Sequence, residues 1–219
     1  MNTQDLAESI AFFRAQSESW PLPGLVPVLA RLLAEGEPVT IEEVSAAGGW
    51  TPDQVAPALD RHPGVDREAD GRIAGFGLTL HPTPHTFTFE DTTVYGFCAS
   101  DALEFPVLLG RPGHVASPCP TTGQIIHIDL TPHRVVHIDP PGAMVSKLRP
   151  AVAANDVRSE LCAFGHFFAD AQAAADWLAR YPQGRVVPVA DDFEVSRRTL
   201  IEIGWASAQD GQPRAVRPK

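Results

Sequence analysis

The chain changes texture at His81-Pro82-Thr83-Pro84, and this break constrains its folding more than any other feature. Two prolines in four residues lock φ and withhold backbone donors, so neither a helix nor a central strand runs through them. Before the break, apolar residues recur at helical spacing; after it, short alternating runs dominate. Helices first, then antiparallel strands with helices before and after, define an α+β chain. The expected division is a helical, winged-helix-like domain over residues 1–80 and an α+β domain over 84–219, with a core of mainly antiparallel strands flanked by helices.

Leu6, Ile10 and Phe13 mark a first helix within residues 5–19, broken by Pro21 and Pro23. Residues 25–34 form a second, stopped near Gly36. Thr40, with Glu43 three residues on, is a capping box. It opens a short helix with Ile41, Val44 and Ala47 inward, ended by Gly48-Gly49. Thr51-Pro52 opens another, carrying Val55, Ala58 and Leu59. Asp70-Gly71 then marks a turn beside the extended run 72–80. This order is that of a winged helix-turn-helix. A helix entering a DNA groove needs donors for phosphates and bases. The candidate recognition helix, residues 51–62, sets Asp53 and Asp60 against Arg61 alone. The whole chain has 17 basic and 27 acidic side chains, a formal charge of −10, with no basic run. Nucleic acid is therefore not an expected partner, and the helical unit reads as scaffold.

Beyond the break, residues 86–90 alternate as a strand, and residues 95–109 read as an apolar helix bent or ended by Pro106. Short strands are expected at 114–117, 124–130, 134–138 and 143–148, then a helical turn over 156–160 leading into a strand over 161–168. A helix over 170–181 with Ala174, Trp177 and Leu178 inward, a strand over 186–189 and a helix over 193–205 complete the reading. An acidic N-terminus without a long apolar stretch predicts neither a signal peptide nor a membrane span, hence a cytoplasmic protein. Three cysteines are too few and odd in number for a disulfide framework, which favours reduced thiols.

Those thiols carry the chemical signal. Cys98 and Asp101 are three residues apart, on one face if helical, with Cys98 near a helix N-terminus whose dipole lowers thiol pKa. Cys162 lies just ahead of Gly165-His166 in an aromatic segment. No C-x-x-C exists, so zinc would need a histidine such as His166. A Cys–His hydrolase would use His166 or His114 as base and Asp101 as orienter. The triplets His127-Ile128-Asp129 and His137-Ile138-Asp139 read as a solvated strand face. Cys119 sits between two prolines in a turn, supporting the fold or helping to handle a metal.

The stretch Tyr95-Gly96-Phe97-Cys98-Ala99-Ser100-Asp101, with Phe105-Pro106 and Gly110-Arg111, resembles the active-site helix of the organomercurial (alkylmercury) lyases. Cys119 with Thr122-Gly123 resembles the second cysteine segment of that family. Asp156-Val157-Arg158 through Cys162 and His166-Phe167-Phe168-Ala169 resemble its third, and residues 25–80 fit its N-terminal part. The resemblance implies that the second domain is catalytic and cleaves the carbon–mercury bond to a hydrocarbon and Hg(II). It implies Cys98 and Cys162 as mercury-binding thiols, Asp101 as proton carrier, and a structural Cys119. It further implies no organic cofactor, external thiols for turnover, and passage of Hg(II) to mercuric reductase. Ala163 departs from relatives that have a second Cys there.

The chemistry is coherent. Mercury is soft and thiolates are soft donors. The departing carbon needs a proton, and one carboxyl serves as base and then as acid. Phe97, Phe105, Phe164 or Phe168 would line a pocket for the organic group. The alternatives are a dithiol protein that binds soft metal without turnover, a lyase-like homologue with another substrate, and a regulator using the winged-helix segment.

Overall fold

The computed structural model describes residues 3–19, 22–148 and 156–207. Four helices come first: α1 (Thr3–Ser19), α2 (Leu25–Leu33), α3 (Ile41–Gly48) and α4 (Pro52–Asp60). The capping box at Thr40 is present: its hydroxyl accepts the Glu43 N–H at 3.2 Å, and the Glu43 carboxylate accepts the Thr40 N–H at 2.8 Å. Helix α3 buries Val44, Ser45 and Gly48 and leaves Ala47 exposed. The inward stripe runs through positions 41, 44, 45 and 48, the i, i+3, i+4, i+7 series, which excludes Ala47.

Strands β1 (Asp66–Arg67), β2 (Ile73–Phe76) and β3 (Leu78–Thr79) follow. The expected extended run 72–80 splits at Gly77, whose φ of +77° folds β3 back on β2 with Gly75 opposite Thr79. Strands β4 (His85–Phe89) and β5 (Thr92–Gly96) form a hairpin, and helix α5 (Ala99–Leu109) starts only after Cys98. The helix expected from residue 95 thus begins late, because Tyr95 and Gly96 pair with both β3 and β4. Pro106 lies inside α5 without ending it; Gly110, with φ of 69°, does that.

Next come β6 (Gly113–Pro118), β7 (Ile125–Leu130), β8 (Val135–Asp139) and β9 (Met144–Lys147), then α6 (Val157–Glu160). The strand expected over 161–168 is instead a 3-10 turn, Cys162–Phe164, closed by Gly165 N–H to Cys162 C=O at 3.0 Å, with strand β10 limited to Phe167–Phe168. Helix α7 (Ala175–Arg180) is shorter than expected, since the Asp170 carboxylate ties residues 170–173 into a turn. It buries Trp177 but leaves Leu178 exposed. Strand β11 (Arg185–Pro188) runs directly into α8 (Val189–Glu202), which starts earlier than expected.

The strands form two antiparallel sheets, one ordered β1-β2-β3-β5-β4-β6-β7-β8 and one ordered β10-β9-β11. The wing strands therefore continue the same sheet as the strands beyond the proline break. Helix α5 touches strands of both sheets as well as α2 and α8. Nine of its eleven residues are buried, as a helix enclosed on all sides requires. Among the described residues no helix is long and apolar enough to cross a membrane.

Thr40→Ala is expected to lower stability by about 1 kcal/mol, by removing one half of the capping box. A shifted urea midpoint with unchanged slope is the readout.

Candidate active site

The N-terminus of α5 is where the fold brings the candidate residues together. Cys98 is its N-cap, in extended conformation, and Asp101 occupies the third helical position. The Asp101 carboxylate accepts the Cys98 N–H at 2.9 Å. The three-residue spacing is thus the reciprocal geometry of a capping box rather than two side chains on one helical face. Cys162 arrives from the 3-10 turn, and its thiol donates to Asp101 Oδ2 at 3.7 Å. One ligand atom from each of Cys98, Asp101 and Cys162 lies within 4.8 Å of the others.

Close approach of Gly165 locks this arrangement. A Cβ at Gly165 would lie 2.8 Å from the Cys98 Cβ and 3.3 Å from its sulfur. The Gly165 carbonyl also accepts the Ala99 N–H at 3.1 Å, satisfying one of the free donors at the start of α5.

The thiols do not follow the helix dipole alone. A hydrogen bond from Cys162 pulls the Cys98 pKa down, but burial and the Asp101 charge outweigh it, and the net shift is upward. Cys162 is raised well above its ordinary value by its hydrogen bond to Cys98, by burial and by Asp101. The expected lowering of Cys98 is therefore reversed: three ionisable groups crowd one desolvated spot. Asp101 is pushed up to about 6, chiefly by burial, against the hydrogen bonds it receives from Cys98 and Cys162.

Two adjoining cavities open onto the cluster. The first, about 100 Å³, is lined by all three residues together with Phe12 and Phe13 of α1 and Lys147 of β9. The second, about 70 Å³, reaches Asp101 and Cys162 past Phe76, Phe97 and Trp205. Of the four expected aromatics only Phe97 lines either of these cavities. Phe105 and Phe168 are core residues, and Phe164 packs edge-on against Tyr181 with ring centroids 5.2 Å apart. Period-based reading missed Phe12 and Phe13, because an amphipathic helix signals only that its apolar face is covered, not by what.

The histidines stand outside the cluster. The His166 N–H donates to the Ser146 hydroxyl, and the imidazole lies beside His85 and Phe168. His114 is engaged with Asp129 at 2.7 Å and with His127 at 3.1 Å. The zinc and hydrolase readings therefore lose their histidine. Cys119 is buried in the hydrophobic core within its turn, its N–H bonded to Gln124 C=O at 2.8 Å, and is not part of the cluster.

A family model described as alkylmercury lyase matches residues 78–200, and one described as the helix-turn-helix domain of alkylmercury lyase matches residues 8–77. The chain belongs to the alkylmercury lyase family. It is 42% identical over 182 residues to the alkylmercury lyase of Staphylococcus epidermidis, covering 83% of this chain and 84% of that one. The alkylmercury lyase of Streptomyces lividans is 42% identical over 175 residues, covering 80% and 81%. A crystal structure of the mercury-bound form of MerB2 superposes with a TM-score of 0.74 at 20% identity, covering 92% of this chain and 99% of that one, and so shares the fold.

Two outcomes are expected of this lyase-family site. Gly165→Ala should cut turnover strongly while the chain stays folded, because the new methyl displaces the Cys98 side chain; unchanged kcat with intact circular dichroism would contradict the close-packing argument. The second concerns Glu104, buried one turn beyond Asp101 and pushed up to about 8 by burial and the Asp101 charge, against a smaller pull from Lys147. Between its ordinary value of 4.5 and about 8, the folded chain holds this proton and the unfolded chain does not. Its contribution to stability is therefore full below pH 4.5 and is lost as pH rises towards 8, at about 1.4 kcal/mol per unit. Glu104→Gln should flatten that decline in urea midpoints followed across this range.

Proposed function

We propose that this alkylmercury lyase cleaves the carbon–mercury bond of an organomercurial by protonolysis, with Cys98 and Cys162 holding mercury and Asp101 moving the proton. The observation that carries this reading is the convergence of two sulfurs and one carboxylate oxygen within 4.8 Å. Soft thiolates suit mercury, and their raised pKa values mean that each thiol arrives protonated and gives up its proton on binding metal. Asp101, at about 6, is mostly ionised near neutral pH and already accepts the Cys162 S–H. It is placed to take that proton and is close enough in pKa to return it.

The bonds balance. Two sulfur–mercury bonds form as the anionic ligand leaves, and the carbon–mercury bond breaks with its electron pair on carbon. Carbon takes the proton held by Asp101, so one thiol proton leaves in the hydrocarbon and the other passes to solvent. Hg(II) stays on Cys98 and Cys162 until external thiols remove it. The three side chains supply every ligand and proton in this scheme, which calls on no organic cofactor. Transfer of Hg(II) to a mercuric reductase and residence in the cytoplasm belong to the same reading. So does the assignment of residues 1–80 and 84–219 as helical and catalytic domains.

The test is hydrocarbon release from phenylmercury with excess thiol. Asp101→Ala should still bind mercury stoichiometrically but lose turnover by about a hundredfold or more, the usual weight of a positioned proton donor. Cys98→Ser and Cys162→Ser should each weaken mercury retention and turnover together. If Asp101→Ala leaves hydrocarbon release intact, Asp101 is not the proton carrier; if the unaltered chain binds mercury and releases no hydrocarbon, the chain is a dithiol binder and not a lyase.

A further inference from the structure

Glu104 is the polar side chain outside the triad that lines both cavities, so it faces the organic group of a bound mercurial whichever cavity that group enters. It shares the first cavity with the polar side chains of Gln16, Ser100, Ser146 and Lys147, opposite apolar walls that include Phe12, Phe13 and Leu148. Lys147 lines the first cavity and pairs with Asp192, which is almost fully buried. Asp192 also accepts the Ser100 hydroxyl at 2.9 Å, and Ser100 lines the same cavity. A purely apolar organic group gains nothing from such a wall, and burying these groups is costly unless they are satisfied. Glu104, Lys147 and Ser100 line the cavity, and that placement is what a recognition surface requires.

We propose that Glu104 and Lys147 form a specificity-determining subsite for an acidic or hydrogen-bond-accepting substituent on the organic group of the substrate, a carboxylate-bearing arylmercurial being the matching class. Lys147 provides the cation, and Glu104 in its protonated form provides a second donor. Asp192, itself bonded by the Ser100 hydroxyl, holds the Lys147 ammonium at the wall. This inference rests on the lyase reading and deepens it, since it concerns which carbon fragment the same site accepts.

The experiment compares kcat/KM for 4-carboxyphenylmercury and phenylmercury in the unaltered chain, in Lys147→Met and in Glu104→Leu. Each variant should lower the carboxyphenyl-to-phenyl ratio by about tenfold, the scale of one hydrogen bond to a charged group, with the change lying mainly in KM. Because both substrates are measured on one preparation, partial unfolding or an indirect effect through Asp101 changes both rates and cancels in the ratio. Lys147→Met strands the buried Asp192 carboxylate, so the pair Lys147→Met with Asp192→Asn is measured beside it. An equal fall for both substrates in all variants would overturn the subsite while leaving the lyase reading intact. Absence of hydrocarbon from either substrate with the unaltered chain would instead sink the lyase reading itself.

Discussion

The hydrogen bond from the Cys98 N–H to the Asp101 carboxylate is the constraint around which the site is organised. It closes the N-terminus of a helix that is buried along nearly its whole length, where an unpaired backbone donor would be costly. It also fixes the carboxylate where it meets the Cys162 thiol. One carboxylate thus closes the helix start through the Cys98 N–H and accepts the Cys162 S–H.

The electrostatic consequence runs against simple expectation. A helix N-terminus favours a thiolate, but burial and the Asp101 charge push both thiols upward, and burial raises Asp101 itself against the hydrogen bonds the thiols give it. The resting site therefore stores its protons. In the proposed mechanism a soft cation binding to the sulfurs reverses that balance and releases a proton beside the carbon that needs one.

The helical N-terminal unit has become part of the site. Its wing continues the main sheet, Gly77 at the turn between β2 and β3 accepts the Phe97 N–H at 2.9 Å, and Phe76 and Val26 wall the second cavity. Helix α1 packs on α8 and sets Phe12 and Phe13 over the first. The N-terminal unit contributes cavity wall through α1, α2 and the wing, while its fourth helix, α4, carries Asp53 and Asp60 and no cluster of cations.

Local signals in the sequence were enough for the α+β class, the capping box at Thr40, the helix start at Thr51-Pro52, and the reading of Cys98, Asp101 and Cys162 from the motifs of a known family, because caps and motifs act over a few residues. They failed where pairing overrode propensity: Tyr95 and Gly96 look helical but complete a sheet, and the aromatic run 161–168 looks extended but turns at Gly165 to let Cys162 reach Cys98. The sequence alone determined which side chains were chemically capable of holding a soft metal and moving a proton. The tertiary structure decided that Cys162 meets Asp101 across sixty-one positions, that Phe12 and Phe13 rather than Phe105 and Phe168 face the cavity, and that the thiols are raised rather than lowered. Each of these depends on which groups share a desolvated volume, and shared burial is a property of packing that no short stretch of sequence contains.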